Sequence, residues 1–245
     1  MTDVATPNRL RHLAIIMDGN NRWAKQQGKA GVSGHRAGVE RIRDVMSGCK
    51  KHGIEALTLF AFSSENWQRP PKEVEALMGL FMSYLKKEAK KLREEGVQLR
   101  VIGRRDRFSD RIRKAIVEAE AIADHGDSTL VIAADYGGQW DMAQAAKQIA
   151  EKVARGELSP DQVDEELLGQ HICLADLPPL DLLIRTGGET RISNYLLWQA
   201  AYSELHFSEC YWPDFDEAQL DLAVDDFYGR QRRFGKTSEQ VLNGE

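Results

Sequence analysis

The sequence predicts an α/β protein with a central, mostly parallel sheet of about six strands, flanked by helices. Short apolar runs alternate with longer amphipathic stretches, which is typical of strands joined by helical crossovers. The short runs are almost continuously apolar, as strands covered on both faces require. No repeat, low-complexity tract or Pro/Gly-rich linker interrupts the chain, so residues 1–245 are predicted to form a single domain.

The candidate elements follow from these patterns in chain order. Strands are predicted at residues 13–17, 56–62, 98–102, 129–134, 181–184 and 204–207. Helices are predicted at residues 35–52, 71–95, 109–124, 140–155 and 216–233. Pro71 near the start of the second helix suits the first turn, where no amide hydrogen is needed.

Composition excludes several classes of protein. The formal net charge of -5 gives no general attraction to nucleic acid or to anionic lipid. Cys49, Cys173 and Cys210 are scattered and fit no metal spacing, which favours a reducing cytoplasm. The first apolar run is too short for a signal peptide, and no run approaches the ~20 residues that span a bilayer. We therefore expect a cytoplasmic protein that at most touches a membrane surface.

Polar segments follow four of the predicted strands, at residues 18–23, 63–70, 135–138 and 185–189. In open α/β sheets, ligands bind outside the carboxyl ends of the strands. These four segments are therefore predicted to converge on one site.

The side chains in and near these segments suit a ligand with more than one phosphate. Four are guanidinium groups, which match phosphate oxygens in bidentate geometry: Arg22, Arg69, Arg185 and Arg191. Six are neutral hydrogen-bonding groups: Asn20, Asn21, Ser63, Ser64, Asn66 and Ser193. Asp18 suits Mg²⁺, which binds one or two carboxylates together with substrate phosphate, although Asp-Gly-Asn is also common in turns.

Three further features admit two interpretations. His35, at a predicted helix start, is either an anion-binding group or an exposed first-turn residue. Trp23 and Trp67 either cover an apolar ligand or belong to the core or rim. The helix at 71–95 carries an apolar stripe that is either an ordinary core face or one wall of a hydrocarbon tunnel. The stripe comprises Val74, Leu77, Met78, Phe81 and Leu85, widened by Leu80 and Tyr84.

Common nucleotide and metal motifs are missing. Residues 229–237 resemble a Walker A loop, but five residues separate the glycines and a charged helix precedes them. The sequence contains no GxGxxG, HExxH, CxxC or DDxxD motif.

Several segments, in order, resemble motifs of the cis-prenyltransferase family. Within that family, the resemblance is strongest to bacterial undecaprenyl diphosphate synthases. They are HLAIIMDGNNRWA at 12–24, FAFSSENWQRP at 60–70, DLLIRTGGE at 181–189, RISN at 191–194, WQAAYSEL at 198–205, WPDF at 212–215 and RRFG at 232–235. The resemblance implies cis-condensation of isopentenyl diphosphate with an allylic diphosphate such as farnesyl diphosphate. The product would be the lipid carrier precursor for cell-wall polysaccharide synthesis.

The resemblance also implies roles for individual residues. Asp18 and Glu204 would hold Mg²⁺, and Asp18 and Asn66 would be catalytic. The allylic diphosphate would be cradled by Gly19, Asn20, Arg22 and His35, and isopentenyl diphosphate by Arg185, Arg191 and Ser193. The rest of the substrate site would comprise Asn21, Trp23, Ser63, Ser64, Glu65, Trp67, Arg69 and Ile192.

The resemblance further implies a homodimer whose C-terminal Arg-Phe-Gly segment reaches toward the neighbouring site. It also implies delivery of the product to a membrane, with the enzyme peripheral at its inner face. Three positions depart from the family pattern: Asn21 where Gly is usual, Gly31 where Arg is frequent, and Thr190 where His is frequent.

Two other functions stay open from the sequence. A nucleotide-dependent phosphotransferase is consistent with the arginines and glycines but lacks the Walker spacing. A non-catalytic prenyltransferase partner subunit is consistent with the resemblance. Such subunits tend to lose motif residues, whereas Asp18, Asn66, Arg185, Arg191 and Glu204 are all present here.

Overall fold

A computed structural model describes residues 9–232 of the chain and shows one six-stranded sheet. The strands run in the order β3-β4-β2-β1-β5-β6, and every pair is parallel. Their bounds are β1 His12–Ile16, β2 Ala56–Ser63, β3 Val97–Ile102, β4 Ser128–Tyr136, β5 Leu182–Arg185 and β6 Glu204–Phe207. The predicted α/β class and the six strands are confirmed.

Seven α-helices flank the sheet within the described residues. They are α1 Asn20–Gln26, α2 Gly31–Lys51, α3 Pro71–Glu94, α4 Asp110–Ile122, α5 Gly138–Ala154, α6 Glu165–His171 and α7 Glu217–Gly229. The five predicted helices are present, and the short helices α1 and α6 were not predicted. Between residues 9 and 232, no helix has both the length and the apolar character that a membrane span needs.

The sheet divides two apolar cores because successive side chains of a strand point to opposite faces. All five residues of β1 are buried. Leu13 and Ile15 join the larger core with α2, α3, α4 and α7, whereas Ala14 and Ile16 face the smaller one. This two-sided burial explains why the strands read as continuous apolar runs.

The pairing of β2 with β4 is irregular near the carboxyl ends of the two strands. Phe60 pairs with Ala133, Phe62 with Ala134 and Ser63 with Tyr136. Ala61 on β2 and Asp135 on β4 are therefore extra residues without a partner, as in β-bulges, which re-aim side chains near binding sites.

Helices α1 and α2 pack so closely that a glycine is needed between them. A Cβ on Gly34 of α2 would lie 1.9 Å from the backbone oxygen of Asn20 on α1. The close packing of Gly34 on Asn20 holds α1, and with it the loop that precedes α1, against α2.

We expect Gly34→Ala to lower the free energy of unfolding by about 1–3 kcal/mol, the usual cost of overpacking. Gly79→Ala is the control, because Gly79 lies on exposed helical surface of α3 with nothing within 4 Å of its added Cβ. That change should instead stabilise by about 0.5–1 kcal/mol, the helix preference of Ala over Gly. Urea unfolding of both variants measures the difference, and equal stabilities would show that α1 and α2 separate without cost.

Candidate active site

A cavity of about 580 Å³ opens at the carboxyl edge of the sheet, between β1, β2, β4, α2 and α3. Its polar lining comprises Asp18, Asn20, His35, Ser63, Glu65, Asn66, Arg69, Arg185, Ser193 and Asn194. Its interior is apolar and includes Val39, Ile42, Leu77, Phe81 and Ile132. These polar residues form the charged mouth of the cavity, which leads to an apolar interior. Helix α3 supplies part of the apolar wall.

The Asp18 carboxylate stands two residues beyond β1 and is held by basic and backbone groups. Arg185 Nη2 donates to Oδ2 at 2.9 Å, and the Gly19 amide donates to Oδ1 at 2.6 Å. Arg22 Nη2 lies 3.3 Å from Oδ1. Partial burial alone raises the pKa of Asp18, but these hydrogen bonds and the two positive charges outweigh it and lower the pKa below its usual value. Asp18 is therefore ionised at neutral pH.

Arg185, the last residue of β5, is almost fully buried. Its Nη1 donates to the backbone oxygen of Arg191 at 2.5 Å and to Ser193 Oγ at 2.7 Å. Its Nε is buried and has no hydrogen-bond partner among residues 9–232. An unpaired buried donor costs ~1–3 kcal/mol, so an acceptor oxygen entering the mouth, such as one of a phosphate, would relieve that cost.

Two exposed arginines share one carboxylate partner at the rim. Arg22 Nη1 lies 3.6 Å from Glu189 Oε1, and Arg191 Nη1 donates to Glu189 Oε2. Arg22 also lies over the Tyr211 ring at 5.3 Å. A phosphate group can replace these solvent-exposed carboxylate contacts at little cost, because such surface pairs contribute only ~0–1 kcal/mol.

His35 lies within α2 rather than at its start, because the helix begins at Gly31. The interpretation of His35 as a first-turn residue at the helix start is therefore corrected. Burial, followed by the nearby charge of Arg69, lowers the pKa of His35 to about 4, although Glu73 opposes the shift. Its Nε2 is buried and accepts or donates no hydrogen bond within the part of the chain that the structure describes. His35 is thus a neutral hydrogen-bonding group facing the mouth.

Asn66 is held by a single 3-10 turn, Ser64–Gln68, directly after β2. Its Oδ1 accepts a hydrogen bond from the Ser63 amide at 3.0 Å, which leaves its Nδ2 for other partners. Glu65 in the same turn accepts from Asn194 Nδ2 at 2.9 Å. Asn194, for which the sequence indicates no role, therefore ties this turn to the segment after β5.

Several predicted substrate residues border the cavity without lining it. They are Gly19, Asn21, Arg22, Trp23, Ser64, Trp67, Arg191 and Ile192. Trp23 Nε1 donates to Asp214 Oδ1 at 2.7 Å, and Trp67 packs on Phe62 with ring centroids 5.1 Å apart. Ile192 packs against the smaller core. The two tryptophans are thus rim and core residues in this structure.

Two of the departures from the family pattern are neighbours in space. A Cβ on Gly31 would lie 2.4 Å from Asn21 Oδ1, so the Asn21 side chain occupies the room beside position 31. Asn21 Nδ2 donates to Glu73 Oε1 at 3.3 Å, and Arg69 Nη1 donates to the same oxygen at 3.1 Å. Asn21 also lies in helix α1, so it needs no left-handed backbone.

Glu204 does not join Asp18 within one chain. Glu204 begins β6 and pairs with Leu182, whereas Asp18 lies beyond the carboxyl end of β1. Through Leu182, the pairing places Glu204 level with Leu13. Asp18 lies five residues further on, so the two are about 16 Å apart along the strands and about 10 Å apart across them. Glu204 instead accepts from Arg230 Nη1 at 3.0 Å. The predicted magnesium pair of Asp18 and Glu204 is therefore not one site in the single chain.

The remaining donor set suits a magnesium ion that arrives with its substrate. Within residues 9–232, no group of three or more acidic, His or Cys side chains is arranged to hold a metal. Mg²⁺ needs only one or two carboxylates when phosphate oxygens supply the rest. The ionised, partly exposed Asp18 meets that need, and its arginine neighbours suit the same phosphates.

We expect the neutral state of His35 to make stability depend on pH. Its folded pKa of about 4 lies below the ordinary 6.5, so the unfolded chain binds a proton first as pH falls. Stability is therefore lost between pH 6.5 and about 4, by up to ~1.4 kcal/mol per pH unit. His35→Gln should lose about 1–2 kcal/mol less than the parent between pH 6.5 and 5.

Urea unfolding at both pH values measures this difference. His125→Gln is the control, since the His125 side chain is 67% exposed. Identical pH dependence in His35→Gln and the parent would contradict a neutral buried His35.

The comparisons with known proteins agree with this geometry. The family described as "Putative undecaprenyl diphosphate synthase" matches residues 16–235. The chain is 56% identical over 245 residues to the ditrans,polycis-undecaprenyl-diphosphate synthase ((2E,6E)-farnesyl-diphosphate specific) of Pseudomonas putida, covering 99% of this chain and 98% of the relative. It is 55% identical over 228 residues to the enzyme of the same description from Escherichia coli, covering 93% and 90%.

Two solved structures share the fold. Lavandulyl diphosphate synthase from Lavandula x intermedia, in complex with dimethylallyl diphosphate, matches with a TM-score of 0.89 and 36% identity, covering 96% of this chain and all of that one. A probable undecaprenyl diphosphate synthase from Campylobacter jejuni matches with a TM-score of 0.78 and 34% identity, covering 94% and 100%. The resemblance seen in the sequence is confirmed, and the chain belongs to the undecaprenyl diphosphate synthase family of prenyltransferases.

Proposed function

We propose that this chain condenses isopentenyl diphosphate repeatedly with farnesyl diphosphate, in the presence of Mg²⁺, to make undecaprenyl diphosphate with new cis double bonds. One observation carries the proposal: a mouth with Asp18, Arg185 and Arg69 opens directly into an apolar interior. A diphosphate with a long hydrocarbon tail matches both parts. The names of the relatives from Pseudomonas putida and Escherichia coli supply the substrate and the product.

The residues of the mouth divide into two groups around Asp18. On one side lie His35 and Arg69, which are near each other, and Arg22 lies beside Asp18 itself; we assign these three to the allylic diphosphate. On the other side lie Arg185 and the Arg191–Ser193 segment that its guanidinium holds, which suit isopentenyl diphosphate. Two substrates held at one mouth react as if within one molecule, which removes much of the entropic barrier.

Charge builds on the departing diphosphate as the allylic carbon becomes cation-like. Mg²⁺, when bound at Asp18, supplies part of the neutralisation. Arginine side chains that are already oriented by the protein stabilise the rest without reorganising during the reaction. Neutral His35 donates or accepts a hydrogen bond there without adding charge, and Asn66 Nδ2 is left to orient the condensing substrate.

The apolar interior receives the growing chain. Ala61 lines the cavity because the bulge on β2 leaves it without a strand partner. Leu77 and Phe81 form the facing wall on α3. The tunnel interpretation of the α3 stripe is thus the one that the cavity favours, and part of the stripe, such as Leu85, belongs to the core.

The two other functions are less well supported. A phosphotransferase for nucleotides has no use for an apolar interior of this kind, and the relatives described above are diphosphate synthases. A non-catalytic partner subunit has no need of a mouth in which Asp18, Asn66 and Arg185 remain assembled.

The proposal includes a homodimer in the cytoplasm that delivers its product to the inner face of the membrane. Residues 233–235 of the C-terminal motif lie outside the described residues. Arg232, the last described residue, contacts its own chain, because its Nη1 donates to Asp181 Oδ1 at 2.6 Å. A shared magnesium ion at Glu204 likewise requires a second copy of the chain. Equilibrium sedimentation tests this, and a fully active monomer would contradict it.

The direct test of the function is a product assay. The purified protein is incubated with farnesyl diphosphate, labelled isopentenyl diphosphate and Mg²⁺, and the extracted product is sized. We expect a single long polyprenyl diphosphate, and no product when Mg²⁺ is chelated. Absence of condensation under these conditions, with ATP-dependent phosphate transfer instead, would overturn the proposal.

We expect Asp18→Ala to lower kcat by several orders of magnitude, because its contacts matter most in the transition state. Binding of farnesyl diphosphate should change by no more than about tenfold, or ~1.4 kcal/mol, since Arg22 and His35 remain. Single-turnover assays and equilibrium binding separate the two effects. Asp161→Ala, at an exposed residue of a distant 3-10 turn, is the control.

Thermal melts on the same preparations exclude misfolding as the cause. A destabilised Asp18→Ala protein with normal kcat per folded molecule would remove Asp18 from the reaction.

We expect Ala61→Leu to shorten the product, because the larger side chain enters the cavity from the β2 bulge. Sizing of the labelled products measures the change. Ala121→Leu on the exposed surface of α4 adds the same atoms away from the cavity and should leave the product unchanged. Equal product lengths in both variants would place the growing chain elsewhere.

A further inference from the structure

Asp135 is a charged residue outside the cavity that combines full burial with a left-handed backbone. It is fully buried near the end of β4 and has a left-handed φ of 53°. It is also the extra residue of the bulge between Ala134 and Tyr136. A buried carboxylate is expensive unless a cation satisfies it, and a left-handed non-glycine residue is strained. Such a residue persists only where its surroundings hold it.

The cation that satisfies Asp135 is Arg107, in the loop between β3 and α4. Its Nε donates to Oδ2 at 2.8 Å, and its Nη2 donates to Oδ1, so the guanidinium is held by a two-pronged contact. The Arg104 amide also donates to the backbone oxygen of Asp135 at 3.0 Å. The bulge thus fixes the orientation of one planar guanidinium group.

The fixed guanidinium lies over Trp67. Arg107 Cζ is 5.6 Å from the centre of the indole ring, within the range of cation–π attraction. On other sides the ring packs against Phe62 and Phe108, with centroids 5.1 Å and 6.1 Å away. Among the described residues, Trp67 Nε1 is buried without a hydrogen-bond partner, so its side chain is held by packing and ring contacts.

Trp67 directly follows Asn66 in the 3-10 turn Ser64–Gln68. The other end of the turn is fixed by Ser63 and by the contact between Glu65 and Asn194. The turn is therefore held at both ends. The contact of Arg107 with the Trp67 ring holds the end next to Asn66. Neither Asp135 nor Arg107 lines the cavity.

We propose that Asp135 and Arg107 are positioning residues, which act through Trp67 to hold Asn66 in its reactive orientation. The inference rests on the proposed function, because it gives Asn66 a part in the condensation. A misplaced reacting group lowers the rate of the chemical step more than it weakens binding. The proposal therefore concerns kcat and the order of the turn, and not the affinity of the mouth.

The test uses Arg107→Lys and Asp135→Asn, each in the parent and in an Asn66→Ala background. Arg107→Lys keeps the charge opposite Asp135 but loses the planar fork that stacks on Trp67. Asn tolerates the left-handed backbone of position 135. We expect kcat to fall about tenfold in each, with KM for isopentenyl diphosphate changed less than threefold. In the Asn66→Ala background neither change should lower kcat further, since the effect passes through Asn66.

Arg104→Lys is the matched control. The Arg104 side chain pairs with the exposed Asp106, and the variant keeps the backbone amide that donates to Asp135. The kcat of Arg104→Lys should therefore equal that of the parent. Thermal melts of all variants show whether the fold is intact. Parental kcat in both Arg107→Lys and Asp135→Asn, or equal losses with and without Asn66, would overturn the proposal.

A second readout keeps this inference separate from the proposed function. Backbone hydrogen exchange of residues 63–69 should rise in Arg107→Lys and Asp135→Asn and stay unchanged in Arg104→Lys. Full activity in Asn66→Ala would contradict the part of Asn66 in the condensation. The hydrogen-exchange rates would then decide whether Asp135 and Arg107 hold the turn. Unchanged exchange in both variants would then overturn the positioning role.

Discussion

The parallel pairing of β1 with β2 on one side and β5 on the other is the constraint on which the site depends. Ile16 lies opposite Phe60 and Arg185, so three strands end at the same edge. Asp18, the Ser63–Gln68 segment and the segment after Arg185 then emerge side by side. A one-residue slip of β1 would turn its apolar side chains to the opposite faces and move Asp18 away from Arg185. The buried contact of His12 Nε2 with Thr58 Oγ1, at 2.8 Å, helps to fix this register at the other end of the strands.

The electrostatics of the mouth follow from that arrangement. Asp18 alone beside a diphosphate would repel it, and Arg185 alone would be a buried charge without a partner. Together they neutralise each other, and the Nε of Arg185, which is unpaired among the described residues, remains as a donor. Mg²⁺ with a diphosphate can take over both halves of this pair, because the ion suits the carboxylate and the phosphate suits the guanidinium. The pair is thus a preformed place for a metal-bound anion.

Much of the fold and of the site could be predicted from the sequence. The features that could not be predicted have physical causes. The long crossover helices and apolar strands carry strong periodic signals, so the fold class and the convergence of polar segments were accessible. Helix α1 has no start signal in the sequence because Gly19, with φ of 102°, caps it in place of the usual polar side chain. The separation of Glu204 from Asp18 depends on strand register, which a motif does not encode. The contact between Asn21 and Gly31 joins two helices and likewise has no local signal.

The bulge between β2 and β4 shows how one irregularity serves two parts of the site. An extra residue on each strand lets the pairing resume at Ser63 and Tyr136, so neither strand loses its register. On β2 the extra residue, Ala61, lines the apolar cavity. On β4 the extra residue, Asp135, turns away from the cavity and fixes Arg107. The small side chain thus leaves room for hydrocarbon, while the charged one orders the turn that carries Asn66. Without the bulge, the side chains of Ala61 and Asp135 would point in other directions, because successive residues of a regular strand face opposite sides of the sheet.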